Sequence, residues 1–422
     1  MAIWYTSQDG AGNMDGTSAA DAWAVATVNG TSWTTLNIAP TDTLYYLGLI
    51  TTKLVINRSG TAGNPISLRG DYSGQECSVD VLQLDTACVS GMSSRTNIDF
   101  YGFTFRNATS DLISISTATP DKIRFYDCTF KDTLSTRRGL RFQCLTGGLV
   151  SGCSFINCMG TALYITTSPG VVVEDCICTD CGELGASNNT DGIAIDDGCD
   201  NAVVQRNTVT GQLGGDGSGI DIQDSVSSGT IQVLRNNCTG GEGSGISTTG
   251  NPTNLLVGNI CTENKYNYFI KGSNQVNMYH CLSSNSTQNG IKAGATSPTY
   301  NSIQLTCINC IINDANSPES IFYINNSPSS ALTIDNSIIT TGSTYALSGS
   351  GSVSFATFTT GIDSAAGTTE ADPQLYPDYQ PKPASSCNRA GKAIDAFTHY
   401  GYNGRAFRKG TPTIGAFEQR FV

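Results

Sequence analysis

The amino-acid sequence predicts an all-β protein, a solenoid in which short strands coil around a common axis for roughly ten or more turns. Three observations predict this fold. The composition is poor in strong helix formers, because only 14% of the 422 residues are charged and 46 are glycine. One eight-residue motif recurs along the chain. A second strand pattern follows it in phase, so the repeating unit is a coil with more than one strand.

The recurring motif reads apolar, any residue, apolar, two polar or small residues, Cys or Asn, any residue, apolar. The sixth positions of successive copies are between 22 residues (259 to 281) and 31 residues (176 to 207) apart. Alternation of this kind is typical of a strand with one buried face. The copies are IDFYGFTF (98–105), IRFYDCTF (123–130), GLVSGCSF (148–155), VVVEDCIC (171–178), AVVQRNTV (202–209), IQVLRNNC (231–238), NLLVGNIC (254–261), VNMYHCLS (276–283) and IQLTCINC (303–310).

A second short strand runs in phase with the motif, and its apolar residues also alternate. Two independent patterns that keep one variable period are a strong sign of a coiled solenoid. The copies of this second strand are LISIS (112–116), GLRFQ (139–143), ALYIT (162–166), GIAID (192–196), GIDIQ (219–223), GISTT (245–249) and GIKAG (290–294).

Like residues of successive coils are expected to stack in ladders, because one coil cannot bury its apolar face alone. Asparagines in such a ladder suit an internal turn, where their amides bond to the backbone and to one another. The 16 cysteines are expected to be free core thiols rather than disulfides or metal ligands. The sixth motif position supplies Cys128, Cys153 and Cys176, followed by Asn207, Asn236 and Asn259.

These features resemble the right-handed parallel β-helix of the pectin-lyase-like superfamily. The repeat carries the resemblance over roughly residues 90 to 345, and residues 40 to 90 read as opening strands. The resemblance implies an N-terminal cap over 1–40, a β-helix over 41–362 and a C-terminal cap over 363–422. In the first part, TSAADAWAVAT (17–27) predicts a short cap helix with Ser18 as its N-cap. The last part is similar to the closing segment of bacterial and phage β-helix surface proteins.

Charge and hydropathy exclude several classes of partner. The net charge of −12 argues against nucleic acid, because phosphate binding needs clustered Lys and Arg. No apolar run is long enough to span a bilayer, so membrane insertion is not expected. The N-terminal sequence MAIWYTSQDGAG has neither a basic nor an apolar leader region, so no signal peptide is expected.

The resemblance places the functional cleft on the sheet of GIxI strands and the loops before them. Alternation directs Asp196 and Asp221 outward, because the isoleucines beside them point inward. The two are offset by one coil and two residues, so their Cα atoms are expected about 8 Å apart. That value lies within the separation of about 6.5–9.5 Å between the carboxyl groups of inverting glycosidases. We therefore predict Asp196 and Asp221 as general acid and base.

Other polar residues on this face and in its loops complete the predicted site. Asp191 and Asp216 lie in loops before the strands and are assigned to the catalytic set. The chemistry requires no cofactor, although a bound calcium ion remains an option for the acidic residues. Residues predicted to bind substrate are Arg141, Tyr164, Glu183, Gln223, Asp224 and Lys292.

The segment NTDGI (189–193) resembles the NTDGI motif of polygalacturonases, whose aspartate belongs to the catalytic carboxylates. Carried over, that residue is Asp191. The match is short: the Asp-Asp pair follows after five residues instead of one coil later, and the Gly-His-Gly and Arg-Ile-Lys motifs are missing. Literal polygalacturonase activity is therefore disfavoured.

Each aspartate also has an ordinary structural interpretation. Asp-Gly before a strand and Asp-Asp-Gly after one are common turn sequences, and for any single aspartate a solvated turn residue is the favoured interpretation. Because several acidic residues are concentrated on two adjacent coils, a functional role and a structural role of the group are equally supported. A β-eliminating lyase is an alternative, since a base and a cation are its requirements. Arg141, Tyr164, Lys271 and Lys292 lie along the face but match no known lyase motif.

The leading hypothesis is a tailspike-like protein that binds and depolymerises host surface polysaccharide, with hydrolysis preferred over elimination. Phage tailspikes resemble this chain in fold, acidic surface and unpaired cysteines, and many are homotrimers. The resemblance thus implies a homotrimer at a virion tail or outside the cell, with polysaccharide as its partner. Two alternatives stay open: a non-catalytic receptor-binding protein or adhesin, and a bacterial polysaccharide lyase or hydrolase.

Overall fold

The structure, a computed structural model, describes residues 1–116, 120–134, 136–182, 190–215, 217–224, 229–294, 303–314, 322–325, 331–339, 345–347, 351–353, 365–371, 373–375, 385 and 387. The chain divides into two compact units, Met1–Ala202 and Val203–Val422. The described residues of both units form mainly parallel strands, as the sequence predicts.

The first unit contains helix α1 (Val25–Gly30) and short 3-10 turns at Ala19–Asp21, Tyr72–Gly74 and Met92–Ser94. Its strands are β1 (Ile3–Ser7), β2 (Trp23–Ala24), β3 (Thr43–Leu47), β4 (Leu49–Ile50), β5 (Leu54–Val55), β6 (Ile66–Arg69), β7 (Cys77–Asp80), β8 (Val89–Ser90), β9 (Thr96–Tyr101), β10 (Phe103–Arg106), β11 (Ile113–Ser114), β12 (Asp121–Tyr126), β13 (Thr129–Lys131), β14 (Leu140–Phe142), β15 (Leu149–Ser151), β16 (Ser154–Ile156), β17 (Leu163–Ile165), β18 (Val172–Glu174), β19 (Ile177–Thr179) and β20 (Ile193–Asp196).

The strands of the second unit are β21 (Val203–Gln205), β22 (Thr208–Thr210), β23 (Ser218–Asp224), β24 (Thr230–Leu234), β25 (Asn237–Thr239), β26 (Ser244–Val257), β27 (Ile260–Thr262), β28 (Tyr266–Tyr279), β29 (Leu282–Ser284), β30 (Asn289–Gly294), β31 (Gln304–Ile308), β32 (Ile311–Asn313), β33 (Phe322–Asn325), β34 (Ala331–Asp335), β35 (Ile338–Ile339), β36 (Tyr345–Leu347), β37 (Gly351–Val353) and β38 (Thr369–Glu370).

Each coil contributes one strand to each of three parallel sheets. In the first unit the first sheet is β1-β3-β6-β9-β12-β15-β18. The second sheet is β4-β7-β10-β13-β16-β19. The third sheet is β5-β8-β11-β14-β17-β20 and contains the GIxI-type strands. The second unit repeats the plan, but its long strands β26 and β28 each serve both the third sheet and the first.

The eight-residue motif is two strands joined by a sharp corner, not the single strand that the sequence predicts. A residue with a positive φ turns the chain from the first sheet to the second; it is the fifth residue of the first eight copies and the seventh, Asn309, of the last. Glycine, aspartate and asparagine tolerate this conformation best, and the sequence pattern registered the position only as polar or small. The corner residues are Gly102 (62°), Asp127 (52°), Gly152 (65°), Asp175 (56°), Arg206 (57°), Arg235 (56°), Gly258 (64°), His280 (53°) and Asn309 (57°).

Stacked side chains fill the core of each unit. In the first, the Phe130 ring lies 4.8 Å from the Phe155 ring and 5.4 Å from the Phe105 ring. In the second, the Asn207 side-chain amide donates to Asn236 Oδ1 and that of Asn236 donates to Asn259 Oδ1, both at 3.0 Å. All 16 cysteines are free and buried, which confirms their predicted role. Burial raises the pKa of the Cys77 and Cys88 thiols to about 12, so these two thiols are poor nucleophiles.

The N-terminal segment forms more of the solenoid than the predicted cap helix allows. Ser18 accepts a hydrogen bond from the Asp21 amide at 3.1 Å, but it caps a 3-10 turn. The α-helix begins only at Val25, because Trp23 and Ala24 pair with β1 and the Trp23 ring stacks on Trp4 at 5.0 Å. Strand β1 in turn pairs in parallel with β3. Most of the predicted C-terminal cap lies outside the described residues, although β38 extends the second sheet by pairing with β35.

Asp42 fastens the N-terminus to the first unit. Its buried carboxylate accepts hydrogen bonds from the Ala2 amide at 2.5 Å, the Ala39 amide at 2.9 Å and Trp4 Nε1 at 3.2 Å. Burial alone raises the pKa of this carboxyl, but the amide hydrogen bonds outweigh it and the pKa falls below the ordinary 3.8. A carboxyl whose pKa is lower in the folded state than in the unfolded state stabilises the fold at any pH above its unfolded-state pKa. This stabilisation is lost as the pH falls through the folded-state pKa.

Asp42→Asn is therefore expected to lower the free energy of unfolding at neutral pH, and the gap from the wild type is expected to close below about pH 4. All three tryptophans, Trp4, Trp23 and Trp33, lie in the first unit. Tryptophan fluorescence during urea unfolding at a series of pH values measures the gap. The exposed Asp9→Asn is the matched control. A gap that stays constant down to pH 2 would contradict the role given to Asp42.

Candidate functional site

The third sheet of the first unit carries the predicted Arg141 and Tyr164 in one outward column. The register pairs Ser114 with Arg141, Arg141 with Tyr164, and Tyr164 with Ala194. The residues that directly precede Arg141 and Tyr164 in their strands, Leu140 and Leu163, are buried in the core. Strand alternation therefore assigns the inner and outer faces of these coils correctly.

Asp196 and Tyr164 are joined by a hydrogen bond, in which the phenol donates to Asp196 Oδ2. The other carboxylate oxygen, Oδ1, accepts from the Asp197 amide at 2.8 Å. Both side chains are half-buried. Burial, and then the neighbouring Asp196 carboxylate, raise the pKa of Tyr164 to about 12. The phenol is therefore protonated at neutral pH and can act as a proton donor beside a carboxylate acceptor.

Two arginines flank this pair. The Arg138 guanidinium lies 4.4 Å from the centre of the Tyr164 ring, a cation–π distance. Its backbone amide donates to Asp111 Oδ1 at 3.0 Å, and its Nη1 lies 3.8 Å from Asp111 Oδ2. Arg141 Nε is buried without a hydrogen-bond partner among the described residues. We call Arg138, Arg141, Tyr164 and Asp196 the Tyr164–Asp196 site.

Sequence reasoning missed Arg138. A signal was present, because Asp111 and Arg138 each stand two residues before an inward residue of a third-sheet strand, Ile113 and Leu140, which the register pairs. Opposite charges at equivalent positions of successive coils predict an ion pair. The same position two coils further on is Asp191.

Asp191 lies before β20 and is only 4% exposed. Its amide donates to Thr161 Oγ1 at 3.2 Å, and its carbonyl accepts from the Ala162 amide at 2.9 Å. Five residues separate it from Asp196, roughly 16 Å along an extended strand. That exceeds the spacing of a glycosidase carboxylate pair, so Asp191 and Asp196 do not form one. Two other predicted residues, Glu183 and Asp216, and the side chain of Asp224 lie outside the described residues.

Asp221, in the second unit, is not solvent-facing as predicted: the residue is 1% exposed. The Gln223 amide donates to Asp221 Oδ2, and Lys271 Nζ lies 3.9 Å from Oδ1. Alternation along a strand predicts the face on which a side chain lies, but not how deeply that side chain is buried. The longer side chains of Gln223 and Lys271 lie beside the short Asp221 carboxylate. Because Asp196 and Asp221 lie in different units, their pairing as acid and base stays a prediction.

A group of lysines and aromatic rings lies on the same third-sheet strands. Lys292 Nζ is 4.3 Å from the Tyr266 ring centre, 5.0 Å from that of Phe269 and 3.1 Å from the Tyr266 hydroxyl. Lys271 Nζ is 5.4 Å from the Phe269 ring, and Lys265 Nζ is 5.3 Å from the Tyr266 ring. We call Lys265, Tyr266, Phe269, Lys271 and Lys292 the lysine–aromatic cluster. Sequence reasoning found two of its lysines and neither ring.

Within the described part of the chain, no group of three or more His, Cys, Asp and Glu side chains is placed to hold a metal ion. The calcium ion that the sequence left open therefore stays a prediction. No helix among the described residues is long and apolar enough to cross a membrane.

Comparison with known proteins identifies the fold. Residues 87–259 match the family model described as right handed beta helix region. Similar solved structures include XylC in complex with xylose (TM-score 0.56, 7% identity, 99% of this chain and 98% of that one). The PL6 family alginate lyase AlyGC has a TM-score of 0.52 and 9% identity, and the match covers 89% of this chain and 55% of that one. The PL6 family polysaccharide lyase Pedsa3628 from Pseudopedobacter saltans has a TM-score of 0.50 and 14% identity, and the match covers 82% of this chain and 94% of that one.

At these identities the likeness shows the fold alone. That fold is the right-handed parallel β-helix, which confirms the fold that the sequence predicts. No curated protein matches the sequence.

Proposed function

We propose that the protein binds and cleaves polysaccharide at the Tyr164–Asp196 site, as a tailspike-like depolymerase. The observation that carries the proposal is the hydrogen bond between the Tyr164 phenol and the Asp196 carboxylate on a half-buried outer face, with two arginines beside it. Solved β-helices of similar fold include two named polysaccharide lyases and one bound to xylose. The proposal includes a homotrimer that acts at a virion tail or outside the cell, as the sequence resemblance suggests.

For hydrolysis, the protonated Tyr164 phenol donates its proton to the glycosidic oxygen as the bond breaks. Because the acid and base of an inverting hydrolysis lie about 6.5–9.5 Å apart, the sugar enters between Tyr164 and Asp196 and replaces their hydrogen bond. Asp196 then takes a proton from the attacking water, and the oxygen of that water joins the anomeric carbon. Arg141 has a buried Nε that a sugar hydroxyl would satisfy. Arg138 holds the Tyr164 ring in place through the cation–π contact with the face of that ring. Asp221 is too buried to meet a glycosidic oxygen directly, and we assign it the role of positioning Lys271.

Elimination is the second candidate, because Asp196 is the single carboxylate among the four residues of the Tyr164–Asp196 site, and two of the others are arginines. In an elimination, one carboxylate removes the proton next to a uronate carboxylate, an arginine neutralises that uronate, and Tyr164 protonates the leaving oxygen. No water is added, and the product carries a carbon–carbon double bond.

Mass spectrometry of digested glycans tests the proposal. Capsular and O-antigen polysaccharides are incubated with the protein, and the fragments are weighed and read for ultraviolet absorbance. Hydrolysis is expected to add one water per cleaved bond, whereas elimination gives an unsaturated end. Tight binding without fragments from any glycan would favour the non-catalytic adhesin, and neither fragments nor binding would refute the proposal.

A further inference from the structure

Four side chains from successive coils form a row that ends in the Tyr164–Asp196 site. Each stands in or before a third-sheet strand, and the register pairs these strands in order: Asp111 before β11, Arg138 before β14, Tyr164 in β17 and Asp196 at the end of β20. The Asp111 carboxylate meets the Arg138 guanidinium, which lies 4.4 Å from the centre of the Tyr164 ring. The phenol of that ring donates to Asp196. The proposed cleavage gives a role to every member of this row except Asp111.

Asp111 contacts Arg138 at two points. Its Oδ1 accepts a hydrogen bond from the Arg138 backbone amide at 3.0 Å, and its Oδ2 lies 3.8 Å from Arg138 Nη1. The Asp111 side chain is only 10% exposed, whereas that of Arg138 is 34% exposed. A long, partly exposed arginine has many accessible rotamers, and restricting them costs conformational entropy. A buried carboxylate that contacts both the backbone and the tip of the arginine therefore favours the rotamer that lies over Tyr164.

The charge of Arg138 affects how readily the Tyr164 phenol gives up its proton. Burial and the Asp196 carboxylate raise the pKa of this phenol to about 12, whereas the positive charges of Arg138 and Arg141 act in the opposite direction. A cation over the ring favours the phenolate, because it stabilises the negative charge that forms there. A phenol with a lower pKa is a stronger acid, and a stronger acid donates its proton to a leaving oxygen more readily.

We propose that Asp111 is a positioning residue, which holds the Arg138 guanidinium over the Tyr164 ring and so makes the phenol a better proton donor. The inference deepens the proposed function, since it rests on Tyr164 as the donor and says how the same site controls its acidity. The alternative is a purely electrostatic effect of Asp111. In that case its carboxylate only weakens the field of Arg138, and removing it would make Tyr164 more acidic instead of less.

Fluorine NMR separates these two effects. Difluorotyrosine at position 164 gives a signal from that phenol alone in a protein with 17 tyrosines, and fluorination moves the titration of a phenol to a milder pH. Asp111→Asn keeps an oxygen for the Arg138 amide but removes the ion pair. It is expected to move the titration midpoint upward by about one pH unit, because Arg138 leaves the ring. Arg138→Gln is expected to move the midpoint to a similar extent, and the double variant is expected to match it.

Asp85→Asn is the matched control. Asp85 contacts Lys53 in the same way, with Oδ2 at 3.3 Å from the backbone amide and Oδ1 at 3.0 Å from Nζ, and neither residue belongs to the Tyr164–Asp196 site. An unmoved or lowered midpoint in Asp111→Asn would overturn the inference, as would an equal rise in the control. Arg138→Gln gives a check that leaves the buried Asp111 in place, and an unmoved midpoint there would overturn the inference as well.

Failure of this inference and failure of the proposed function are distinguishable. On any glycan that the wild type cleaves, Asp111→Asn is expected to lower kcat about three- to tenfold and to leave KM unchanged, because Asp111 contacts Arg138 and not the sugar. Cleavage by the wild type together with an unmoved midpoint in Asp111→Asn would reject the role of Asp111 and leave the depolymerase intact. A raised midpoint without cleavage of any glycan would reject the depolymerase and leave the positioning role intact.

Discussion

Asp196→Asn is expected to lower the rate of polysaccharide cleavage by about 10²- to 10⁴-fold, the usual contribution of a positioned acid–base group. The substitution keeps the shape of the side chain and its contact with the Asp197 amide. It removes the charge that accepts the proton. Initial rates of fragment release at saturating glycan measure the loss, and affinity for the glycan is expected to change little because the arginines and Tyr164 remain.

Tyr164→Phe removes the proton donor from the same pair and is expected to cause a loss of similar size. The double variant is expected to be hardly slower than either single variant, because the two groups act as a unit. The wild-type rate is expected to fall at alkaline pH as Tyr164, whose pKa is about 12, begins to ionise. Asp196→Asn retains the phenol, so its remaining activity should show the same alkaline fall.

Asp180→Asn is the matched control, since Asp180 is an exposed turn residue that follows β19 on the second sheet. Asparagine tolerates the positive φ of 50° at this position, so the fold is preserved. Full activity in the control and a loss in Asp196→Asn would tie the chemistry to the Tyr164–Asp196 site. Cleavage by Asp196→Asn at the wild-type rate would exclude Asp196 from catalysis.

The fold could be predicted from the sequence because two separate sequence patterns show the same repeat. The motif and the GIxI-type strand each recur with one variable period, and each maps to strands of separate sheets. The corner inside the motif was missed because Gly, Asp, Arg, His and Asn all occupy it. Glycine and asparagine suggest a left-handed turn, but Arg206 and Arg235 do not.

The candidate site could be predicted only in part. Alternation along a strand predicts the face on which a side chain lies, but not how deeply it is buried or which residue it bonds to. Tyr164 and Asp196 were both named, yet nothing in the spacing showed that they share a hydrogen bond. Their bond crosses from one strand to a position two residues further along the next, a diagonal contact that depends on rotamers. Asp221 was named as exposed and is buried: the Gln223 amide donates to its carboxylate, and Lys271 Nζ lies 3.9 Å away.

Phe130→Ala is expected to destabilise the first unit by about 3–5 kcal/mol, the usual cost of removing a buried phenylalanine. The residue is fully buried, and its ring stacks on Phe155 at 4.8 Å with 8° between the ring planes. It also contacts Phe105 at 5.4 Å and Phe125 at 5.8 Å. A stacked ladder cannot close around the cavity, because the parallel backbone bonds hold the coils about 4.8 Å apart.

Urea unfolding followed by tryptophan fluorescence measures this loss in the first unit alone, since the three tryptophans all lie there. Phe130→Leu is the matched control: it keeps most of the buried apolar volume and is expected to cost clearly less than the alanine variant. Lys131→Ala, on the adjacent half-buried position, is expected to change the free energy of unfolding by about 0.5 kcal/mol or less. In a solenoid each coil contacts only its neighbours, so a cost below about 1 kcal/mol for Phe130→Ala would mean that the coils on either side can repack, contrary to the rigid ladder.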